Sequence, residues 1–219
     1  MFTGAETLAR GFASTLRERT EAVHRRAETS AFMRALFAGR LGRDAYVAYL
    51  AQLLPVYEVL DAATERLAGD PVAGPFADRR LLRSAAIERD LQALTGPGDA
   101  LPPALPATAE YRARLDAVVF DWPGGFVAHH YTRHLGDLSG GRHIARAVRR
   151  HITDGPAGLA FFDLPVPDPE HYKAAYRAQL DEAPWDDAER DRIVDEVLEA
   201  YRLNEALLHE VAAAYGVAG

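Results

Sequence analysis

One carboxylate lies among glycines in a stretch with helical spacing. Residues 131–150 read YTRHLGDLSGGRHIARAVRR, and Gly136, Gly140 and Gly141 interrupt the apolar pattern at a cost of about 1 kcal/mol each relative to alanine. Gly136 and Gly140 are four residues apart, so they leave one helix face without side chains, where a flat ligand can approach the backbone. Asp137 borders that face and could hold water or relay protons. The alternative is a helix that ends at Gly141, with Asp137 paired to Arg133 on a solvated face.

A histidine at the edge of a buried helix face is the second candidate. His24 follows Val23 at the margin of an apolar stripe in residues 14–27. Glu28, four residues on, can fix the tautomer of its imidazole. Arg17, two turns back and roughly 10 Å along the helix, could meet the acidic edge of a porphyrin that crosses it. A lone histidine at such a position is usually a hydrogen-bonded core residue, and these two neighbours favour the alternative, a metal ligand.

A pair of cations near the C-terminus is the third candidate. Lys173 and Arg177 are four residues apart with Tyr176 beside them, and Lys173 is the only lysine in the chain. On a helix these two cations share one face and form a fork that can hold an anion. A solvated basic patch is the alternative interpretation.

The other histidines show no spacing typical of a metal site or of catalysis. Neither an HExxH pair nor a 2-His-1-carboxylate set is present, and GxSxG, P-loop and dinucleotide-binding motifs are also missing. We therefore interpret these residues as surface or packing residues: His129, His130, His134, His143, His151, His171 and His209.

The candidates fall within a chain dominated by helical periodicity, with no alternating strand pattern. Proline and glycine mark loops at 95–107 and 153–167 and a break at 122–125, and Pro55 predicts a kink. We expect an all-α fold, a single domain of about eight helices over residues 1–219 with its core at about 10–212. The predicted helices cover 14–27, 30–38, 43–68, 77–93, 108–121, 126–151, 168–182 and 186–216.

Composition excludes several classes of function. The 219 residues include 25 basic and 32 acidic side chains, a net charge of −7, which argues against nucleic acid as a partner. Cysteine is absent, so thiolate metal sites, iron–sulfur ligation and cysteine nucleophiles are excluded. The first ten residues contain no apolar signal segment, and no run reaches membrane-spanning length. We expect a cytoplasmic protein with no membrane anchor.

Two of these segments resemble a known family. YTRHLGDLSGG at 131–141 is similar to the distal-helix motif of the haem (heme) oxygenases, and LRERTEAVHRRAE at 16–28 is similar to their proximal helix. The similarity extends in order over roughly residues 10–212 and matches the soluble bacterial branch. It implies haem held between a proximal helix and a kinked distal helix.

The resemblance assigns a role to each matching residue. His24 would be the axial ligand of the haem iron, with Glu28 as its partner carboxylate. Asp137 would be the distal carboxylate, while Gly136 and Gly140 would pack against haem. The propionate-binding set would be Arg17, Lys173, Arg177 and Tyr131, and the distal hydrogen-bond network and pocket wall would include Arg133, Tyr57, Tyr201 and Asn204. Glu21 departs from the animal pattern, which has a basic residue near the propionates, and weakens the clamp on one side.

The implied activity is oxidative cleavage of haem b, which is both substrate and prosthetic group. O2 and electrons from an external ferredoxin or NAD(P)H-dependent reductase would open the ring at a meso carbon, with the alpha position favoured, to give biliverdin, CO and ferrous iron. We expect a monomer. A non-catalytic haem-binding or delivery protein on the same scaffold is the alternative. A thiamin-degrading relative is disfavoured, because the chain lacks that group's cysteine nucleophile.

Overall fold

Helices account for every regular element that a computed structural model assigns to the chain, which it describes over residues 11–96, 98–153 and 155–217. No strand occurs within those ranges, so the all-α prediction is confirmed. The predictions for residues 1–10 lie outside the described residues. The helices are α1 Phe12–Glu28, α2 Ala31–Phe37, α3 Arg43–Leu67, α4 Ser84–Leu94, α5 Pro106–Val118, α6 Pro123–His130, α7 Gly136–His151, α8 Pro169–Glu182 and α9 Asp187–Ala214.

Helix starts follow from capping chemistry in the sequence. Ser30 accepts a hydrogen bond from the Met33 N–H (3.3 Å) at the start of α2, and Asp186 accepts one from the Glu189 N–H (2.8 Å) at the start of α9. Proline occupies the first position of α5, α6 and α8, where its missing N–H costs nothing. These residue types therefore fix where the helices that carry the candidate residues begin.

The core surrounds α3, whose apolar side chains cover most of its circumference. Leu50, Leu53 and Leu60 are fully buried, and the helix continues through Pro55. α3 packs against α4, α5 and α9, while α9 also packs against α1 and α6. α9 thus joins the segment that carries His24 to the central helix.

A five-residue π-helical segment, Tyr131–Leu135, joins α6 to α7. Counted as one helix with α6 and α7, it brings the described part of the chain to eight α-helices. The irregularity lies immediately before Gly136 instead of at the glycines. π segments are rare and frequently mark functional sites.

The predicted helix 77–93 is wrong at its start. Residues Arg79–Leu81 form a short 3₁₀ turn, and α4 begins only at Ser84. Asp61 of α3 accepts hydrogen bonds from the Arg83 N–H (3.0 Å) and from the N–H (2.8 Å) and hydroxyl (2.6 Å) of Ser84. The cap of α4 therefore comes from a residue 23 positions earlier, which helical periodicity does not reveal.

Candidate active site

A cavity of about 580 Å³ is lined mainly by α1, α7 and α9. Its size lies within the range of small-molecule and cofactor pockets. Eight of the thirteen predicted site residues line it: His24, Glu28, Arg133, Gly136, Asp137, Gly140, Tyr201 and Asn204. The structure therefore brings together residues that are more than 100 positions apart in the sequence.

The glycines open one wall of the cavity. A Cβ atom added at Gly136 would meet nothing within 4 Å, and one at Gly140 would meet only Ile144 Cδ1 at 4.0 Å. At Gly141 the same atom would lie 3.5 Å from Phe162 Cδ1, and Gly141 does not line the cavity. Gly136 and Gly140 thus leave backbone exposed to the cavity, as the four-residue spacing predicts.

His24 contributes an imidazole from α1. Its side chain is 42% exposed, and its Nε2 lies 3.6 Å from Glu28 Oε1. The ring meets Tyr201 of α9 edge to face, with 5.9 Å between centroids. An accessible imidazole with a carboxylate four residues on and an aromatic wall suits a metal ligand better than a core histidine.

A network of hydrogen bonds that involves α3, the π segment and α9 positions Asp137. The Tyr57 hydroxyl of α3 donates to Asp137 Oδ2 at 2.5 Å, and Arg133 Nε donates to the same Tyr57 oxygen at 3.2 Å. Arg133 Nη1 also donates to Asn204 Oδ1 at 2.5 Å. Arg133 is only 7% exposed, so the alternative of an Arg133–Asp137 pair on a solvated face is wrong.

The environment of Asp137 favours its protonated form. Burial raises its pKa above the ordinary value, and the positive charges of Arg133 and Arg83 together with the Tyr57 hydrogen bond offset only part of that rise. A carboxyl group with a raised pKa next to an accessible cavity is a better proton donor than one with an ordinary pKa.

The predicted anion-binding residues lie beside the cavity lining. Lys173 is 6% exposed, which contradicts a solvated patch, and its Nζ lies 2.8 Å from Glu170 Oε1 and 3.2 Å from Ser139 Oγ. Ser139 lines the cavity, so the cation of α8 reaches the edge of the glycine wall on α7.

Arg17 and Arg177 converge on Tyr131 instead of on Lys173. Burial raises the pKa of the Tyr131 phenol, and the positive charges of Arg177 and Arg17 oppose that rise. Within the part of the chain that the structure describes, neither guanidinium has a carboxylate within ion-pair distance. Glu21 is exposed and pairs with Arg25 at 3.3 Å, so Arg25 partly neutralises its charge.

Sequence reasoning missed several residues of the lining. Tyr49 of α3 and Met33 and Phe37 of α2 face the cavity, as do Thr132, Ser139 and His143 near the glycines. The helical spacing of Ser139 and His143, three residues on from Gly136 and from Gly140, could have identified them. No sequence signal places α2 at the cavity, because its approach depends on how it packs against α7 and α9.

Comparison with known proteins decides the family. The family model described as heme oxygenase matches residues 10–210. The chain belongs to the haem oxygenase family. It is 34% identical to "Heme oxygenase 1" of Rattus norvegicus, over 95% of this chain and 74% of that protein. It is 31% identical to "Heme oxygenase 2" of Synechocystis sp., over 91% of this chain and 82% of that protein.

Solved haem oxygenases share the fold. The structure of the Leptospira interrogans enzyme superimposes with a TM-score of 0.84 at 31% identity, covering 92% of this chain and 100% of that one. Synechocystis heme oxygenase-1 in complex with heme superimposes with a TM-score of 0.85 at 29% identity, covering 95% and 97%. This chain is therefore a haem oxygenase in family and fold, and an enzyme. Among its described helices, none has the length and apolar character needed to span a membrane.

Proposed function

We propose that this haem oxygenase binds haem b between α1 and α7 and cleaves it at a meso carbon, with the alpha position favoured, to biliverdin, CO and ferrous iron. The observation that carries the proposal is Asp137, held by Tyr57 at the edge of the glycine-walled cavity that His24 also lines. A proton donor and a metal-ligating imidazole facing one cavity suit O2-dependent ring opening, because the imidazole can hold haem iron and the carboxyl group can donate a proton.

The residues present fit haem. Gly136 and Gly140 leave room for a flat macrocycle against the backbone, and His24 offers a nitrogen to iron from α1. Arg17, Arg177 and Lys173 provide positive charge beside the cavity for two carboxylates. The cavity therefore supplies a flat contact face, an axial ligand and an anion-binding edge.

His24 would hold the iron of bound haem and would influence its electronic character. A thiolate ligand donates strongly to the iron and thereby favours O–O cleavage. A neutral imidazole donates less electron density. Glu28, 3.6 Å from Nε2 before any ligand binds, is close enough to restrain the ring through a hydrogen bond or a bridging water. When bound, haem supplies the O2-binding iron and the porphyrin ring that is oxidised.

Asp137 would hold and donate a proton from the α7 side of the cavity, while His24 lines the cavity from α1. Tyr57 orients the carboxyl group, and Arg133 and Asn204 orient Tyr57 in turn. Burial raises the pKa of Asp137, which favours the protonated form that can donate. Because Gly136 and Gly140 carry no side chain, no bulky group competes with O2 for the distal space.

The cations beside the cavity fix which edge of the ring faces Asp137. Arg17 and Arg177 flank Tyr131, and Lys173 reaches Ser139 on α7. Bound propionates would prevent the ring from rotating in its plane, which is a positioning effect on the meso carbon that reacts. Electrons come from an external ferredoxin or NAD(P)H-dependent reductase, since the chain has no cysteine to hold an iron–sulfur cluster of its own.

Asp137→Ala and Asp137→Phe test the proposal against a non-catalytic haem-binding protein. We expect both variants to bind hemin with an axial histidine but to lose biliverdin formation under ascorbate, by roughly 10²-fold or more. Asp116→Ala, which removes an exposed carboxylate of α5, is the control and keeps wild-type turnover. A normal biliverdin yield in the Asp137 variants would mean that the proton comes from elsewhere, and a stable haem spectrum in the wild type would favour the carrier.

A further inference from the structure

Lys173 is a buried cation whose carboxylate partner is largely exposed to solvent. The side chain of Lys173 is 8% exposed, whereas that of Glu170, three residues earlier on α8, is 82% exposed. Lys173 Nζ lies 2.8 Å from Glu170 Oε1 and 3.2 Å from Ser139 Oγ of α7. The ammonium group therefore contacts both a carboxylate and a residue of the cavity lining.

The other two cations of the anion-binding set differ from Lys173 in this respect. Within the described residues, Arg17 and Arg177 have no carboxylate within ion-pair distance, whereas Lys173 has Glu170. A ligand carboxylate that approaches Lys173 must therefore compete with Glu170, while one that approaches either guanidinium has no such competitor.

The exposure of Glu170 makes the pair easy to open. An ion pair with a solvent-exposed partner contributes little, because water solvates the released carboxylate well. Glu170 also lies in the first turn of α8, where a negative charge is favourable next to the helix dipole. Helix stabilisation accounts for an acid at this position, but it does not account for a buried ammonium that reaches from this acid to Ser139.

The choice of lysine suits a pair that opens and closes. Lys173 is the only lysine among 25 basic residues, and all the others are arginine. An ammonium is a compact charge with three rotatable donors, so it can exchange one oxygen partner for another without a matched geometry. A guanidinium would hold a carboxylate through two parallel hydrogen bonds and exchange it less readily.

We propose that Glu170 is a displaceable counter-ion of Lys173, which takes the place of a ligand carboxylate before haem binds and returns when the product leaves. The inference rests on the proposed function, in which Lys173 binds a propionate. Biliverdin keeps both propionates of haem, so a set of cations that holds the substrate also holds the product. Glu170 weakens that hold at Lys173 alone, and the two guanidinium groups keep theirs.

Glu170→Gln tests the proposal, because it removes the charge and keeps the shape of the side chain. Asp187→Asn is the matched control: Asp187 is a first-turn acid of α9 that pairs with a cation three residues on, Arg190, at 3.5 Å. The measurements are the affinity for hemin, the affinity for hemin dimethyl ester, whose propionates carry no charge, and the rate at which bound biliverdin dissociates. Hemin binding is also measured in Lys173→Met with and without Glu170→Gln.

We expect Glu170→Gln to bind hemin about two- to fivefold more tightly and to release biliverdin more slowly by a similar factor. The affinity for the dimethyl ester should not change. Lys173→Met should weaken hemin binding, and adding Glu170→Gln to it should restore none of the loss. Asp187→Asn should match the wild type in every measurement.

Equal hemin affinities in Glu170→Gln and the wild type would overturn the proposal. A gain of the same size for the dimethyl ester, in the Lys173→Met background or in Asp187→Asn would also overturn it, because the effect would then not arise from competition at Lys173. If the wild type opened no ring, the proposed function would fail, while the hemin affinities would still report whether Glu170 competes with a ligand carboxylate.

Discussion

His24 and Asp137 face the same cavity, but different kinds of contact hold them. His24 is on α1 with only Glu28 and Tyr201 as neighbours of note, so its position follows from helix spacing that the sequence reveals. Asp137 depends on Tyr57, which is 80 positions away. Residue types and spacing predict both side chains as candidates, whereas the partners that tune Asp137 emerge only from the packing of α3 against the distal segment.

His24→Ala should remove the axial ligand. We expect the hemin complex to lose its imidazole signature and most of its turnover, both recoverable with added imidazole. His143→Ala is the control, because His143 is the other histidine in the lining of the cavity within the described residues. If the axial-ligand spectrum were unchanged in His24→Ala but altered in His143→Ala, the assignment of the ligand to His24 would be wrong.

Gly140→Ala should separate stability from binding. Alanine improves helix propensity by about 1 kcal/mol, and its Cβ would contact only Ile144 in the haem-free protein. The same methyl group would crowd a bound macrocycle, and overpacking of about 1–3 kcal/mol lowers hemin affinity about 5- to 150-fold. Gly141→Ala, which points away from the cavity, should gain the stability and keep the affinity. Urea unfolding and hemin titration measure the two effects, and equal affinities in the two variants would refute the glycine wall.

The helices themselves show where local sequence suffices. Caps and prolines place the starts of α2, α5, α6, α8 and α9, and these signals lie within a few residues of each helix. The start of α4 depends on Asp61 of α3, and the π segment depends on how α6 and α7 pack between α3, α8 and α9. Long-range contacts of this kind leave no periodic signal, so helical periodicity alone predicts ordinary helix over residues 77–83 and 131–135.

Asp61→Ala should destabilise the protein through α4. The change leaves the N–H groups of Arg83 and Ser84 without their acceptor, at a cost of about 1–3 kcal/mol. Asp61→Asn keeps an acceptor and should lose less. The midpoint of urea unfolding measures both, and an unchanged midpoint in Asp61→Ala would show that water replaces the cap at no cost.

At the scale of the whole molecule, the net charge is −7, and the core also contains imidazoles that are neutral. His129, His130 and His134 are fully or almost fully buried, and burial lowers the pKa of each below its usual value. The unfolded chain therefore binds protons at a higher pH than the folded one. These three groups contribute stability that is present above about pH 6.5 and is lost as the pH falls.

Acidification should consequently weaken the fold between pH 6.5 and 5.5. Each buried histidine adds about 1.4 kcal/mol per pH unit to the loss of unfolding free energy once the unfolded chain is protonated. The three buried histidines together set part of the loss of unfolding free energy per pH unit. Replacing both His130 and His134 with phenylalanine should remove about two-thirds of that part. Urea unfolding at the two pH values measures it, and equal slopes in wild type and double variant would show that the rings are protonated in the folded protein.

Glu196 should make the stability of the fold sensitive to acid at lower pH values as well. Burial alone would raise its pKa, but hydrogen bonds with His129 and Arg114 and the positive charge of Arg114 lower it to about 2. Its contribution is therefore present above about pH 4.5 and is lost as the pH falls towards 2. Glu196→Gln should flatten this part of the unfolding curve, and a curve that matches wild type would show that the ion pair contributes nothing.

The absorption spectrum of the hemin-loaded wild type during reduction by ascorbate in air tests the central claim most directly. The account predicts that the Soret band disappears, that biliverdin absorption replaces it, and that isomer analysis finds mainly the alpha bilin. A Soret band that persists unchanged, with no bilin formed, would contradict ring opening in this cavity.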